Sequence, residues 1–371
     1  MKTNITYIIS NINKALAFEW ISANLNQEKF NLHFILLNPG DSELESFLKN
    51  NNIKVDRVKY KGKIDLLMSI YKVVVLLKKN KTNIVHTHLF EANIIGLTAA
   101  RISGIQKRIY TRHHSNFHHL YYPKAVKYDK YINWLSTDII AISLVVKDIL
   151  IDNEKVSAKK IHLIHHGFLL DDFNKSLSKD NNELLSKYNP NSSYPVIGVI
   201  SRYTEWKGIQ FIIPAFKKTL SQYPDALLLL ANANGDYKKV IHEHLDTIPK
   251  KNYLEIPFEN DVISLYKLFD VFVHAPITGE IEAFGQTYVE SLASGLPSIF
   301  TISGIAKEFI IDSHNALVVS HKNSEEIYSA ILKILKNKEL AEKLVTNGKN
   351  DVNKAFGLDK MILSLESLYN G

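Results

Sequence analysis

The sequence predicts an α/β protein with two doubly wound, Rossmann-like domains that face each other across a central cleft. Short apolar runs typical of buried parallel strands alternate with longer runs of helical periodicity. This alternation occurs twice, and a polar segment separates the two series. A chain of 371 residues is long enough for two domains of ordinary size. Because ligands bind beyond the carboxyl ends of strands in such sheets, we expect the active site in the cleft.

The first series, residues 1–172, predicts six strands and three clear helices. The strands are short and rich in Ile, Val and Leu, as expected for strands buried on both faces. The predicted strands are Ile5–Ile9, His33–Leu37, Ile84–His86, Arg108–Thr111, Ile139–Ile142 and Ile161–Ile164. The predicted helices are Ala15–Leu25, Leu66–Leu77 and Ala92–Ser103.

Residues 173–194 are rich in Asp, Asn, Ser, Lys and Pro and are predicted to be a linker with a short helical piece near residues 183–187. The second series occupies residues 195–356. Its predicted strands are Val196–Ile200, Leu227–Leu230, Tyr253–Ile256, Val271–His274, Ser298–Thr301 and Ala316–Val319. Its predicted helices are Phe211–Leu220, Lys238–Leu245, Val262–Leu268, Thr287–Ser294, Ile305–Ile310, Glu325–Leu335 and Leu340–Phe356, and a final helix follows near Met361–Tyr369.

Charge is distributed unevenly along the chain. The net charge is +7, yet residues 1–172 alone carry 24 basic and 15 acidic side chains. Basic residues alternate from Arg57 to Lys63, which would place them on one side of an extended segment. Such a face attracts an anionic membrane or an anionic acceptor, and a surface that only aids solubility is the alternative. No nucleic-acid-binding motif accompanies the charge, so nucleic acid is not an expected partner.

The absence of cysteine excludes disulfides and thiolate zinc sites. The first ten residues are too polar for a secretory signal, and no apolar run approaches the roughly 20 residues of a membrane span. We therefore expect a cytoplasmic protein. Its basic first half would also allow peripheral contact with the inner face of the membrane.

The most informative motif runs from Glu282 to Glu290 and is followed by Gly295 and Pro297. It places two carboxylates eight residues apart across a glycine turn that opens a helix. The amino end of a helix offers unpaired N–H groups and the positive end of a dipole, which together form a ready phosphate site. A phosphate bound there would have a hydroxyl-binding acid on either side. A sugar joined to a nucleoside through a diphosphate needs this arrangement.

A second motif lies between Val196 and Gly208. A buried strand leads into a loop that carries Arg202 and Lys207, and Gly208 then opens a helix. Arg binds a diphosphate bidentately, whereas Lys provides a point charge.

Together the Glu-x-Phe-Gly-x4-Glu run and the Arg-x4-Lys-Gly element resemble retaining glycosyltransferases of family 4, which have the two-domain GT-B fold. The resemblance implies a nucleotide-sugar donor, a hydroxyl acceptor, and no cofactor or metal. The basic first half favours an acceptor in a surface glycan or glycolipid. The resemblance also implies that the last helix, about residues 357–371, returns to the first domain. The implied catalytic residues are His113, Glu282, Arg202 and Lys207. Glu290, Phe284, Gly285, Gln286, Thr287 and Ile256 are the implied donor-binding residues, with Glu290 on the ribose and the base near residues 256–258.

The first half contains several histidine pairs just after predicted strands. His113 in the Thr111–Ser115 loop resembles the family's histidine that touches the donor sugar, and His114 is the second match. His86 and His88 resemble a loop on the acceptor side, although a local cap or turn is an equal alternative. We expect no metal at these histidines, because no carboxylate lies at ligand spacing beside them.

The loop after the first strand departs from the family pattern. Asn13 and Lys14 stand where the family often has two glycines, so Lys14 could add a phosphate contact. A loop without glycine approaches a ligand less closely, which leaves the acceptor open. Two alternatives accompany the transferase. One is a GT-B nucleotide-sugar epimerase, which handles a similar donor without an acceptor, and the other, supported by the changed loop, is a subunit that binds nucleotide sugars without catalysis.

Overall fold

The computed structural model describes residues 2–174 and 179–371. The chain divides into two compact units, one formed by Met1–Phe168 with Leu358–Gly371 and the other by Leu169–Gly357. Each described unit holds one sheet of parallel strands with helices around it. The predicted α/β class with two Rossmann-like sheets is confirmed.

In the described part of the first unit, seven parallel strands form one sheet. These are β1 (Thr3–Ser10), β2 (Phe30–Asn38), β3 (Lys54–Lys59), β4 (Ile84–His88), β5 (Lys107–Arg112), β6 (Asp138–Ala141) and β7 (Ile161–Leu163). Their spatial order is β3-β2-β1-β4-β5-β6-β7. Strand β3 was missed as a strand, because it lies at the sheet edge and its charged side chains hide the apolar pattern of a buried strand.

The helices of this unit cover the two faces of the sheet. They are α1 (Leu16–Asn24), α2 (Glu43–Asn50), α3 (Leu66–Lys79), α4 (Phe90–Ile102), α5 (Phe117–Tyr121), α6 (Val126–Leu135) and α7 (Leu144–Asp148). Helix α4 is buried along most of its length and packs against both α3 and α6. Among the described residues, no helix combines the length and the apolar character needed to span a bilayer.

The second unit begins with α8 (Leu170–Asn174) and α9 (Lys179–Tyr188), and residues 175–178 of the predicted linker lie outside the described residues. Its six described strands are β8 (Val196–Ile200), β9 (Leu227–Ala231), β10 (Tyr253–Ile256), β11 (Val271–His274), β12 (Ser298–Phe300) and β13 (Leu317–Val318). The remaining helices are α10 (Ile209–Thr219), α11 (Lys238–Leu245), α12 (Val262–Tyr266), α13 (Gln286–Ala293), α14 (Ala306–Phe309), α15 (Ser324–Lys336) and α16 (Lys338–Phe356). The strand order is β10-β9-β8-β11-β12-β13.

Each sheet reverses its strand order next to its first strand, between β1 and β4 in one unit and between β8 and β11 in the other. Loops that leave two neighbouring strands in opposite directions open a crevice at this point. The loops after β8 and β11 carry the two motifs of the second unit. The fold therefore places Lys207 and Glu282 at the reversal point of their own sheet.

The last helix, α17 (Leu358–Asn370), packs against the sheet of the first unit. The buried Tyr369 hydroxyl hydrogen-bonds the Tyr7 hydroxyl on β1 and lies 2.8 Å from Nδ1 of His86 on β4. Leu358 N–H donates to the Phe168 carbonyl at 3.0 Å, which holds the start of the helix. A single tyrosine thus ties the carboxyl-terminal helix to two central strands.

Replacing Tyr369 with phenylalanine is expected to destabilise the first unit by about 1–3 kcal/mol, the cost of leaving buried polar groups unpaired. The substitution keeps the ring but removes the partner of Tyr7 and His86. Urea unfolding followed by circular dichroism measures the change, and Tyr122→Phe, at an exposed position, is the control. Equal stability of the Tyr369 and Tyr122 variants would show that the hydroxyl does not fasten the helix.

Candidate active site

Backbone packing positions the Arg202–Lys207 loop. Gly208 is in the left-handed region, with φ +72, and caps the start of α10. A Cβ atom at this position would lie 1.8 Å from the Ala275 carbonyl oxygen, so only glycine allows the loop to lie against the segment after β11. Lys207 is the last residue of the 3₁₀ turn before this glycine. The motif glycine therefore sets how closely the lysine approaches the second motif.

The second motif is held by two further glycines. Gly285, with φ +85, caps the start of α13, as predicted from the sequence. Gly304 lies behind the loop, where a Cβ atom would come within 2.8 Å of Glu282 Cβ. Glu282 N–H donates to Ser303 Oγ at 3.2 Å, and Ile305 N–H donates to the Phe284 carbonyl at 2.9 Å. These contacts fix Glu282 just ahead of the helix.

Glu282 forms a nearly buried cluster with one lysine and one histidine. Lys207 Nζ lies 2.6 Å from Glu282 Oε1, and His274 Nε2 lies 3.3 Å from the same oxygen. Burial alone would raise the pKa of Glu282, but the adjacent Lys207 and His274 hold that pKa well below its usual value. Burial also lowers the pKa of His274. Glu282 is therefore an ionised hydrogen-bond acceptor at neutral pH.

Glu290 occupies the second turn of α13 and has a different environment. Its Oε2 accepts a hydrogen bond of 2.9 Å from the hydroxyl of the buried Tyr266 on α12. Burial raises the pKa of Glu290 to about 6, and the Tyr266 hydrogen bond only partly opposes this effect. The side chain remains partly exposed. The two acids of the motif thus have opposite pKa shifts.

Three hydroxyl oxygens near these motifs are buried and have no hydrogen-bond partner among the described residues. They are Ser201 Oγ, Thr204 Oγ1 and Thr287 Oγ1. Buried polar groups are nearly always hydrogen-bonded, so such a set is typical of a site that a polar ligand or water completes. Thr287 belongs to the first turn of α13, and the other two flank the exposed Arg202. Their chemistry fits the oxygens of a diphosphate.

The other predicted donor residues serve different structural roles. Phe284 is buried and its ring packs edge-on against Phe356, so it anchors the motif from the core. Gln286 is exposed at the helix start. Ile256 is buried at the end of β10, and its carbonyl accepts from Ala233 N–H. The exposed ring in the predicted base region is Phe258.

In the first unit, His88 and His113 lie beside each other at the carboxyl ends of β4 and β5. His88 Nδ1 lies 3.1 Å from His113 Nε2, and the His113 ring stacks on His166 with 5.6 Å between centroids. Burial holds the pKa of both His88 and His113 well below the usual value. His113 is only partly covered. It therefore offers a neutral imidazole at neutral pH.

His86 and His114 are placed differently. Both ring nitrogens of the buried His86 are bound within the unit, Nδ1 to Tyr369 and Nε2 to Thr111 Oγ1 at 2.8 Å. His86 therefore acts on any ligand only through its neighbours. His114 Nε2 lies 3.3 Å from Asp129 Oδ1, away from the His88–His113 pair.

His114, His118 and Asp129 could supply three ligands to a metal, because their ligand atoms lie within 4.8 Å of one another. The prediction that no carboxylate lies beside the histidine pairs was wrong for His114 and His118, because the folding of helix α6 brings Asp129 close to both. The buried Arg112 guanidinium lies 3.3 Å from Asp129 Oδ1 and also pairs with Glu154. Burial alone would raise the pKa of Asp129, but the histidine hydrogen bonds and then the Arg112 charge hold that pKa below its usual value. The cluster is thus already compensated by an internal cation.

Asn13 and Lys14 lie beside the start of α2. Asn13 Oδ1 accepts from Glu43 N–H at 3.2 Å, while its amide donates to the Glu43 carboxylate at 3.0 Å. Lys14 Nζ is 3.9 Å from Glu43. Asn11 takes the left-handed conformation, with φ 51, in the position where a glycine-rich loop would have a glycine. The loop therefore makes its turn without glycine, and its two predicted residues already contact Glu43.

Sequence reasoning missed the partners of the two motif acids. His274 is the last residue of β11, and its position at a strand's carboxyl end was a usable signal. Tyr266 lies 24 residues before Glu290 on a separate helix, and no local pattern connects them.

Two family models match this chain. Residues 21–171 match the family model described as Glycosyltransferase Family 4, and residues 180–351 match Glycosyl transferases group 1. The chain is 28% identical over 313 residues to the capsular polysaccharide biosynthesis glycosyltransferase CapM of Staphylococcus aureus, covering 82% of this chain and 80% of that protein. It is 25% identical over 315 residues to UDP-Gal:alpha-D-GlcNAc-diphosphoundecaprenol alpha-1,3-galactosyltransferase of Escherichia coli, with coverage of 82% and 78%.

The fold is also similar to that of a solved structure, Anabaena Alr3699/HepE in complex with UDP and glucose. The TM-score is 0.85 at 18% identity, and the match covers 99% of each chain. The two family models together span both units of the chain. The chain is thus a glycosyltransferase with the GT-B fold and belongs to glycosyltransferase family 4.

Proposed function

We propose that this enzyme transfers a hexose from a nucleoside-diphosphate sugar to an acceptor hydroxyl with retention of anomeric configuration. The observation that carries the proposal is the Lys207–Glu282 pair directly before the start of α13, with Glu290 farther along the same helix. Such a donor consists of a sugar, a diphosphate and a ribose. The cation and the helix start match the diphosphate anion, and the two acids, in different protonation environments, match the hydroxyl groups of the sugar and the ribose.

Lys207 has three N–H donors, and Glu282 takes one of them, so two remain for diphosphate oxygens. The exposed Arg202 and the first amides of α13 add donors to the same anion. Glu282 accepts hydrogen bonds from the transferred sugar, and Glu290 accepts them from the ribose. His113 contributes a neutral imidazole that hydrogen-bonds a sugar hydroxyl.

In the proposed reaction, the bond between the anomeric carbon and the diphosphate oxygen breaks as the acceptor oxygen bonds to the same carbon. The diphosphate leaves with the bonding electron pair, and the acceptor's proton passes to the leaving phosphate oxygen on the same face. Lys207, Arg202 and the helix dipole compensate the charge that develops on the diphosphate. These groups supply the electrostatic stabilisation that a divalent metal would otherwise give, so the proposal includes no metal.

The relatives also support the choice of substrates to test. One is named for capsular polysaccharide biosynthesis, and another for transfer to a diphosphoundecaprenol-linked sugar. We extend the proposal to a surface glycan precursor, with a lipid-linked acceptor and a location at the inner face of the cytoplasmic membrane. The UDP in the similar structure makes uridine nucleotides the first donors to test.

A thermal-shift screen of nucleoside diphosphates and their sugars, in the presence of EDTA, tests donor binding. A ligand at 100 times its Kd stabilises the native state by about 2.7 kcal/mol, which gives a clear rise in melting temperature. The binding sugar nucleotide is then incubated with lipid-linked glycan acceptors, and the product's anomeric configuration is read by NMR. An epimerised nucleotide sugar without transfer would favour the epimerase, and binding without any product would favour a non-catalytic subunit. Absence of any thermal shift would overturn the donor site.

A further inference from the structure

Helix α3 and the 3₁₀ turn just before it, Lys63–Asp65, expose an apolar stripe to solvent. Five large apolar side chains there have exposed fractions between 46% and 100%: Ile64, Leu67, Met68, Tyr71 and Val75. Single exposed apolar residues are common on soluble proteins, but a contiguous set of this size marks an interaction surface.

The stripe lies opposite the face that α3 buries. Ser69, Val73 and Leu77, spaced four residues apart, are the buried side chains of this helix. At 3.6 residues per turn, Tyr71 and Val75 point away from these residues. A surface helix ordinarily carries polar residues on the side opposite the core. Helix α3 instead carries a second apolar face, which packing within the unit does not require.

Lysines surround the stripe. Residues 59–79 contain six lysines and one aspartate, and all six lysines are exposed. Lys72, Lys78 and Lys79 belong to α3 itself, and the other three, Lys59, Lys61 and Lys63, precede it. An apolar stripe flanked by lysines is the pattern of a helix that lies in the interface of an anionic bilayer.

We propose that α3 docks this enzyme on an anionic lipid bilayer, with the apolar stripe inserted below the headgroups and the lysines on lipid phosphates. A second copy of the chain is the competing occupant. A two-fold interface sets the same surface against itself, so it would bring the lysines of both copies together and leave their charge uncompensated. A bilayer with anionic headgroups supplies the opposite charge.

A second helix of this unit also exposes aromatic side chains. Helix α4 packs between α3 and α6, and α6 exposes Tyr128, Tyr131 and Trp134. The Arg101 guanidinium lies 4.7 Å from the centre of the Trp134 ring. Tyrosine and tryptophan, with an apolar ring and a polar tip, are enriched where proteins meet the bilayer interface.

The inference deepens the proposed function, because a bilayer-docked enzyme reaches a lipid-linked acceptor, but its test does not depend on transfer. The full chain is sedimented with phosphatidylcholine vesicles, with and without phosphatidylglycerol. We expect binding to the anionic vesicles only, and weakening by salt. The triple variant Leu67→Gln, Met68→Gln, Tyr71→Ser should lose affinity by about tenfold or more. The triple variant Lys72→Gln, Lys78→Gln, Lys79→Gln should lose the preference for anionic lipid.

Leu363→Gln is the matched control, since Leu363 is as exposed as the stripe residues but lies on α17. It should bind vesicles like the unmodified chain. Undiminished vesicle binding by the Leu67 triple variant would overturn the proposal. So would light scattering that shows a dimer which this variant converts to a monomer. The nucleotide thermal shift of the same variant reports the donor site separately, so failure of docking and failure of the proposed function are distinguishable.

Discussion

Replacing Glu290 with glutamine is expected to weaken nucleotide-sugar binding by about 10- to 100-fold, the worth of hydrogen bonds to a charged acceptor. Glutamine keeps an oxygen that can accept from the Tyr266 hydroxyl, so the fold around α13 is preserved. It removes the negative charge and one of the two oxygens that would bind the ribose hydroxyls. Isothermal titration with the nucleotide sugar found in the thermal-shift screen measures the loss.

The same residue predicts a pH dependence. Burial raises the pKa of Glu290 to about 6, so its carboxylate becomes protonated as the pH falls through that value. Donor affinity of the unmodified enzyme should therefore decrease between pH 7.5 and pH 5. The diphosphate of a nucleotide sugar carries no proton that titrates in this range. Glu290→Gln should show a much flatter profile.

The raised pKa also predicts the direction of the stability change. The folded chain binds this proton more tightly than the unfolded chain, in which Glu titrates near pH 4.3. The stabilisation that protonated Glu290 gives the folded chain is complete at pH values below the pKa of the unfolded chain. It is lost as the pH rises through about 6. At pH 7.5 the glutamine variant should therefore be at least as stable as the unmodified enzyme, although it binds donor poorly.

Glu243→Gln is the control for this series, because Glu243 is an exposed acid on α11 in the same unit. It should change neither donor affinity nor its pH profile. Donor binding by Glu290→Gln at unmodified strength would remove Glu290 from the site and, with it, the proposed placement of the ribose.

Most strands and the helix starts at Gly208 and Gly285 could be predicted because local chemistry determines them. The run Leu227–Leu230 is apolar throughout and forms the buried β9, and Gly285 and Gly208 mark helix starts where a left-handed residue is required. Strand β3 was missed because an edge strand with alternating charge lacks the apolar signal. The basic residues that alternate from Arg57 to Lys63 do not all belong to it, because only Arg57 and Lys59 lie on that strand.

Apart from His274, the partners of the site residues could not be predicted, because pairing across the fold leaves no mark on local sequence. Lys207 and Glu282 are 75 residues apart, and the sequence assigned them to different parts of the donor. Their 2.6 Å contact shows that the lysine also keeps the glutamate ionised. Asp129 likewise reaches His114 and His118 only through the packing of α6. Rules for the spacing of metal ligands within one segment could not reveal that Asp129 lies beside these histidines.

The Lys207–Glu282 contact leads to the second large expected effect. Replacing Lys207 with methionine should destabilise the second unit by about 2–4 kcal/mol, because it leaves a carboxylate buried without its cation. This cost is somewhat below that of a fully buried pair, since 21% of the Lys207 side chain is exposed. Turnover should fall by about 10²–10³-fold, as for the loss of one charge-stabilising donor. Urea unfolding and initial-rate measurements give the two quantities separately.

The double variant Lys207→Met, Glu282→Gln separates the structural role from the chemical one. Removing the charge of Glu282 should restore most of the stability, because no uncompensated ion remains, whereas turnover should stay low because the diphosphate still lacks its cation. In Lys207→Met alone, the pKa of Glu282 should rise, so its stability deficit should shrink as the pH falls.

Lys218→Met provides the matched control. Lys218 forms an ion pair with Glu325 in the same unit, but both side chains are about half exposed or more. Surface pairs contribute about 0–1 kcal/mol, so this variant should remain close to the unmodified enzyme in stability and turnover. If Lys207→Met behaved like Lys218→Met in both measurements, the cation would neither sustain Glu282 nor stabilise the departing diphosphate. If its stability fell while turnover did not, Lys207 would serve the fold alone, and Arg202 with the start of α13 would have to compensate the leaving group.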